Sequence, residues 1–180
     1  MAAPNAPGLL VALRGRRVVL GVTGGIAAYK AIDVCRQLVD AGAHVVPIMT
    51  AGAEQFIGRT TLSALASEPV QTELWDNPTT PIPHTRIGQG ADLILVAPAT
   101  ARLLAAYRMG LSTDLLTNTL IATRAPVVVC PAMHTEMWEH PATVENIAVL
   151  RSRGVHIVEP ESGRLAGGDV GAGRLAAPDT

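Results

Sequence analysis

The chain has few of the residues that would indicate several common classes of protein. Aromatic residues make up 3% of its 180 residues, so a base-stacking surface for single-stranded nucleic acid is not expected. The formal net charge is −1, without any run of basic residues, which argues against electrostatic binding to nucleic acid. No apolar run reaches the roughly 18 residues that span a bilayer. The N-terminus also lacks the charged and apolar regions of a signal peptide.

Cysteine is scarce as well. The two cysteines, Cys35 and Cys130, fall on segments predicted to be buried, so they are interpreted as core thiols of a reducing compartment rather than as a disulfide. We therefore expect the protein to be cytoplasmic. Neither C-x-x-C nor H-E-x-x-H spacing is present, so no metal site is predicted.

Apolar residues are abundant, at 48%, which is enough for one globular domain with a full core. Residues 1–15, rich in alanine and proline, are expected to form a mobile arm before a single domain over residues 16–180. Apolar runs predict strands at 17–22, 44–49, 93–97, 127–130 and 155–158. Helical patterns separate them, at 27–41, 60–67, 102–109, 115–124 and 141–153. This alternation predicts a doubly wound, Rossmann-like (flavodoxin-like) α/β fold, a parallel sheet with helices on both faces.

Two loops at the carboxyl ends of predicted strands are candidate binding sites, because open α/β sheets bind ligands there. The first is Thr23-Gly24-Gly25, where backbone N–H groups and a following helix would favour an anion, although a plain tight turn has the same sequence. It is neither G-x-G-x-x-G nor a P-loop, so dinucleotide binding is not supported. The second is Pro131–Trp138, with two methionines, a histidine and a tryptophan. Composition alone favours a hydrophobic plug for the second loop.

Several stretches together resemble the flavin-containing cysteine decarboxylases, a family that includes phosphopantothenoylcysteine decarboxylase and the peptidyl-cysteine decarboxylases of ribosomal peptide maturation. Pro131–Trp138 resembles the family motif P-x-M-N-x-x-M-W, with His134 in place of Asn. Thr23–Lys30 resembles T/S-G-G/S-I-A-A-Y-K, His84–Asp92 resembles H-x-x-L/I-x-x-x-A-D, and Pro98–Ala101 resembles the start of P-A/S-x-A-N-T. The motifs follow one another in the family's order over nearly the whole chain.

The resemblance implies an FMN cofactor with its phosphate at the glycine turn. The implied cofactor contacts are Thr23, Gly24, Gly25, Ile26, Ala27, Thr50, Phe56, Pro98, Ala99, Thr100 and Ala101. From the sequence alone, Phe56 is interpreted as core and Thr50 as a helix cap. The resemblance makes His84 the catalytic acid or base, a role that suits titration near neutral pH. The implied substrate contacts are Met133, His134, Met137, Trp138, Arg164, Leu165, Ala166 and Gly167.

The glycine-rich segment at residues 160–175 is a flexible tail by composition. It resembles the family's mobile substrate clamp, G-x-L-A-C-G-D-x-G-x-G-R, with Gly167 in place of the clamp cysteine. In the coenzyme A branch of the family that cysteine is implied to supply a proton, and Gly167 has none to give. This difference favours the peptide branch.

The implied reaction oxidises the cysteine Cβ–S unit to a thioaldehyde, which loses CO₂ as a β-keto acid does and leaves an enethiolate. The favoured substrate is a peptidyl C-terminal cysteine, giving aminovinyl-cysteine. The alternative is phosphopantothenoylcysteine decarboxylation in coenzyme A biosynthesis, where the enethiolate is reduced to a saturated thiol. A second alternative is a non-catalytic flavoprotein regulatory subunit, against which His84 argues. The resemblance further implies a homo-oligomer, a trimer or a dodecamer of trimers, with flavin between subunits.

Overall fold

Five parallel strands form the centre of the molecule, in the order β2-β1-β3-β4-β5. The computed structural model describes residues 13–75 and 80–178, so most of the predicted mobile arm lies outside the described residues. The strands are β1 (Arg17–Val22), β2 (His44–Met49), β3 (Leu93–Ala99), β4 (Val127–Pro131) and β5 (His156–Ile157). This order is that of flavodoxin-like sheets, and it confirms the predicted fold class.

Helices cover both faces of the sheet. They are α1 (Ala31–Asp40), α2 (Arg59–Leu65), α3 (Pro83–Gly90), α4 (Ala101–Met109), α5 (Leu115–Ile121), α6 (Thr135–Trp138) and α7 (Pro141–Ser152). Two 3₁₀ helices, Ile26–Lys30 and Ala53–Gln55, precede α1 and α2. The helix predicted over residues 27–41 is therefore divided, and α3 was not predicted. None of the helices in the described parts of the chain is long and apolar enough to cross a membrane.

The two faces of the sheet make two separate cores, because successive strand residues point to opposite sides. Val18 and Leu20 of β1 pack with α1 and α2 in one core, which includes Cys35. Val19 packs in the other core, against α3, α4, α5 and α7. Burial on both faces explains why the strands are continuous apolar runs rather than alternating ones. Cys35 and Cys130 are free thiols, and burial raises the pKa of Cys130 to about 11.

The glycine-rich segment forms an antiparallel hairpin of β6 (Glu161–Arg164) and β7 (Val170–Arg174), so the flexible tail expected from its composition is wrong. Composition failed here because the hairpin is held by backbone contacts that need glycine. The amide of Met133 donates to the carbonyl of Gly173 at 3.0 Å, and the Thr135 hydroxyl donates to Ala172 O at 2.7 Å. A Cβ at Gly173 would overlap the carbonyl oxygen of Met133. Motion of this hairpin as a clamp stays a prediction.

Candidate functional site

The site lies at the carboxyl ends of β1 and β3, where the strand order reverses. The chain passes from β1 to β2 on one side and to β3 on the other, which makes this the topological switch point of the sheet. Loops that leave adjacent strands in opposite directions open a crevice between them, and open α/β sheets bind ligands in such a crevice. The glycine turn after β1 and the segment after β3 form its two walls.

Thr23 fastens these two walls together. Its hydroxyl donates to the carbonyl of Pro98 at 2.7 Å and accepts from the amide of Thr100 at 3.1 Å. Thr23 is 3% exposed, so the first bond is buried, and the second is partly buried. Thr100 in turn caps α4, with its side chain accepting from the amide of Leu103. Thr23 therefore positions the wall of the crevice, and its hydroxyl is already engaged within the protein.

Different constraints favour glycine at the two positions of the turn. A Cβ at Gly24 would lie 2.5 Å from the carbonyl carbon of Gly52, so Gly24 allows the loops after β1 and β2 to pack backbone against backbone. A Cβ at Gly25 would meet only Thr100, at 3.7 Å, and would otherwise project into open space. Gly25 lines the crevice, so a side chain there would occupy room that a ligand could use.

The crevice is a cavity of about 630 Å³, within the range of small-molecule and cofactor sites. It is lined by Gly24, Gly25, Ile26, Ala27, Tyr29, Lys30, Thr100, Ala101, Ala132, Met133, His134, Met137, Arg164, Leu165, Ala166, Gly173, Arg174 and Leu175. The structure thus brings the glycine turn, the segment after β3, the loop after β4 and the hairpin to one cavity. The glycine turn and the loop after β4 were candidates from the residues themselves, and the other two regions were named through the resemblance.

Three cations lie on the cavity wall. The Lys30 ammonium donates to the carbonyl of Leu175 at 3.2 Å, and Arg174 donates to Glu161 at 2.5 Å. The bond from Arg174 is the main cause that lowers the pKa of Glu161. Arg164 has no ion-pair partner within residues 13–75 and 80–178. The cavity lining therefore combines cations with mostly apolar residues, a composition suited to an aromatic ligand with an anionic group.

His134 is held between two carboxylates. Its Nδ1 contacts Glu136 at the start of α6, and its Nε2 lies 3.0 Å from Asp169 Oδ2 in the hairpin turn. The hydrogen bond to Glu136, followed by the charges of Glu136 and Asp169, outweighs the opposing effect of burial and raises the pKa of His134 above its ordinary value. Both ring nitrogens are thus engaged, so in this conformation His134 has no N–H left for a substrate carboxylate.

Gly167 lies directly beside this cluster. A Cβ at position 167 would lie 3.4 Å from His134 Nε2 and 3.5 Å from Asp169 Oδ2. The imidazole and the Asp169 carboxylate therefore stand next to the place that a side chain at position 167 would occupy.

Other predicted site residues lie outside the cavity of the single chain. Thr23, Pro98 and Ala99 are buried behind its wall. Thr50 accepts from the amide of Ala53 at 3.3 Å, as the predicted cap would. Trp138 lines a separate shallow groove. Phe56 is 47% exposed, so its interpretation as core is wrong.

His84 also lies outside the cavity, on the first turn of α3, which packs against α5. Its Nδ1 is buried and has no hydrogen-bond partner among the described residues. A buried polar atom without a partner is uncommon in a native fold and usually has a functional or environmental explanation. The catalytic role of His84 stays a prediction, and it requires something beyond the single chain to bring this residue to the cavity.

The sequence analysis missed several residues of the site. Tyr29 and Lys30 line the cavity, and Lys30 belongs to the matched motif, where it follows Ala27 by three residues. Residues three apart on a helix lie on the same side, so the predicted cavity residue Ala27 could have pointed to Lys30 as well. Glu136 lies two residues after His134 and carried a usable signal as a local charge partner. No signal in the sequence pointed to Asp169, because it comes close to His134 only through the folding of the hairpin.

A family model described as Flavoprotein matches residues 10–180. The bifunctional coenzyme A biosynthesis protein CoaBC of Mycobacterium tuberculosis strain H37Rv is 55% identical over 161 residues, 89% of this chain. CoaBC of Vibrio vulnificus strain YJ016 is 46% identical over 167 residues, 92% of this chain. This chain spans 38% of the length of the mycobacterial relative and 42% of the Vibrio one.

Solved structures resemble the chain closely. A PPC decarboxylase mutant complexed with pantothenoylaminoethenethiol is 30% identical, with a TM-score of 0.83 over 92% of this chain and 93% of that one. The FMN-dependent cysteine decarboxylase SpaF is 32% identical, with a TM-score of 0.80 over 88% of this chain and 91% of that one.

Proposed function

The chain belongs to the flavoprotein family, and we propose that it is an FMN-dependent decarboxylase of a cysteine carboxyl group. The observation that carries this proposal is the cavity of about 630 Å³ at the switch point of the sheet. Four sequence regions with family motifs converge on it, and flavodoxin-like sheets bind FMN at this place. The relatives described as FMN-dependent decarboxylases support the same cofactor.

The residues present fit an FMN molecule. The volume suits a ligand of this size, Gly25 leaves room at the turn, and the wall offers three cations for an anionic group. The apolar side chains of Ile26, Met133 and Leu165 suit an aromatic ring system. When bound, FMN would supply the oxidation of the cysteine Cβ–S unit, after which the carboxylate leaves as CO₂.

The substrate we propose is phosphopantothenoylcysteine rather than a peptide. The sequence favoured a peptidyl cysteine because Gly167 replaces the clamp cysteine, but the relatives with 55% and 46% identity are coenzyme A biosynthesis proteins that share most of this chain. The cavity agrees with an anionic substrate, since Arg164 has no carboxylate partner among the described residues. Arg164 is the side chain we assign to a substrate carboxylate or phosphate.

We further propose that the working unit is a homo-oligomer, a trimer or a multiple of it, in which one copy brings His84 to the cavity of another. Ile26, Tyr29 and Met137 line the cavity and are 62%, 59% and 48% exposed. Exposed apolar side chains grouped at one site usually mark a contact surface. A second copy covering this rim would bury them and would give the His84 imidazole access to the substrate.

The experiment that tests the cofactor proposal compares two glycine substitutions. Gly25→Val fills the space at the turn, and its backbone φ of −158° accepts valine, so we expect a folded protein without flavin absorbance bands. Gly58→Val is the matched control, because φ is −80° there and its Cβ would meet only Thr61 at 3.8 Å. Native and Gly58→Val proteins should both be yellow. A Gly25→Val protein with full flavin content would contradict the proposed site.

A further inference from the structure

The proposed reaction needs an acid at the cavity, in addition to the residue that assists oxidation. Loss of CO₂ leaves an enethiolate, R–NH–CH=CH–S⁻. A saturated thiol forms only when Cα receives a proton, which gives a thioaldehyde. The thioaldehyde carbon then needs a hydride equivalent, which bound FMN in its reduced form would supply. The charges and electrons balance, because oxidation removed one hydride and decarboxylation left one electron pair on carbon. The structure must therefore provide a proton donor close to the substrate.

Among the residues that line the cavity, only one has suitable acid–base chemistry. The titratable side chains on its wall are Tyr29, Lys30, His134, Arg164 and Arg174. Tyrosine, lysine and arginine are poor proton donors at neutral pH as residue types, whereas imidazolium gives up a proton and regains it near neutrality. Neither cysteine lines this cavity. We propose that His134 is the acid that protonates Cα of the enethiolate, a role that rests on the proposed decarboxylase function.

The surroundings of His134 suit this role. Glu136 on Nδ1 and Asp169 on Nε2 favour the charged imidazolium, and burial opposes it. The other charged side chains on the cavity wall are Lys30, Arg164 and Arg174. The pKa of His134 is raised, so the imidazolium persists to higher pH than in an ordinary histidine and is lost as the pH rises through the raised value. Because Glu136 stays on Nδ1, the Nε2 proton is the one available for transfer.

Asp169 is the partner that gives way to the substrate. Its side chain is 66% exposed, and it lies in the turn of the hairpin rather than on a strand. With the Asp169 side chain rotated away from the imidazole, Nε2 faces the space beside Gly167, where a Cβ would lie 3.4 Å from it. Solvent then returns a proton to the imidazole. Asp169 is thus a positioning residue that keeps His134 charged between turnovers.

The test measures two quantities with phosphopantothenoylcysteine and FMN-loaded protein: CO₂ released, and the ratio of enethiol to saturated thiol by mass spectrometry. Native protein should release mainly saturated thiol. His134→Asn should shift the ratio toward enethiol by about 10-fold or more. Loss of a general acid usually slows its proton-transfer step by about 10²-fold or more, so a 10-fold change in the product ratio is the smallest change expected. His140→Asn is the matched control, because His140 caps α7 through Nδ1 and asparagine caps equally well. It should leave the ratio unchanged.

Two further variants extend the test, and the second, Asp169→Asn, leaves position 134 unchanged and so remains informative if His134→Asn folds poorly. Gly167→Cys added to His134→Asn places a thiol at the same point and should restore saturated thiol. Asp169→Asn should move both the His134 imidazole titration, followed by NMR without substrate, and the pH profile of the product ratio to lower pH. A His134→Asn ratio equal to native overturns this proposal alone, as does a native protein that releases only enethiol. If the native protein releases no CO₂, the proposed decarboxylase function itself is contradicted.

Discussion

Replacing Thr23 by valine tests whether this residue fastens the cavity walls. Valine has the same shape but removes the donor to Pro98 O and the acceptor for the Thr100 amide. Leaving the buried carbonyl unpaired costs about 1–3 kcal/mol, and losing the partly buried second bond costs about 0.5–1.5 kcal/mol. Thr23→Val should therefore lower the free energy of unfolding by about 1.5–4.5 kcal/mol.

Thr23→Ser is the control, since it keeps both hydrogen bonds and loses one buried methyl group, at about 1 kcal/mol. Urea unfolding at one fixed protein concentration and without added FMN measures both variants, because oligomers and ligands change apparent stability by mass action. Thr23→Val should be clearly less stable than Thr23→Ser. If the two variants agree within about 0.5 kcal/mol, the hydroxyl does not hold the walls together, and a direct contact with the cofactor becomes the better explanation for threonine.

Two other substitutions test the catalytic residue and the hairpin. His84→Asn should retain FMN and the oligomer but lose turnover by roughly 10²-fold or more; CO₂ release at the native rate would refute its catalytic role. Gly173→Ala should detach β7 from the loop after β4, because its φ is 127° and the added Cβ would overlap Met133 O. We expect the free energy of unfolding to fall by about 2–4 kcal/mol, from backbone strain and a lost hydrogen bond. Hydrogen exchange at the Met133 amide should become faster. Protection of this amide equal to that in the native protein would contradict the prediction.

The sequence was a good guide to the sheet and to the cavity, because both depend on local pattern. The strands at 17–22 and 44–49 are found with the predicted bounds, since buried parallel strands are continuous apolar runs. The loops nominated at 23–25 and 131–138 meet because parallel strands place their carboxyl ends on one edge. The glycine-rich hairpin could not be predicted in this way, because it packs through close approaches of Gly171 to the Thr135 side chain and of Gly173 to the Met133 backbone, both distant in the chain.

Side-chain roles were harder to predict than positions. His134 has the predicted place at the cavity, but its two carboxylate partners were not foreseen, and Asp169 is 35 residues away in the chain. Its charge state, and hence its proposed role, depends on that long-range contact. Phe56 was interpreted as core because a lone phenylalanine is usually buried, yet it is largely exposed. A single sequence does not say which apolar side chains are left exposed in the folded chain.

The most direct test of the proposed function is a comparison of two substrates. FMN-loaded protein is incubated with phosphopantothenoylcysteine and, separately, with a peptide that ends in cysteine, and products are identified by mass spectrometry. We predict loss of CO₂ from phosphopantothenoylcysteine, with saturated thiol as the main product, and little or no reaction with the peptide. Decarboxylation of the peptide alone would contradict the proposed substrate. No loss of CO₂ from either compound, with FMN bound, would contradict the proposal that this protein is a cysteine decarboxylase.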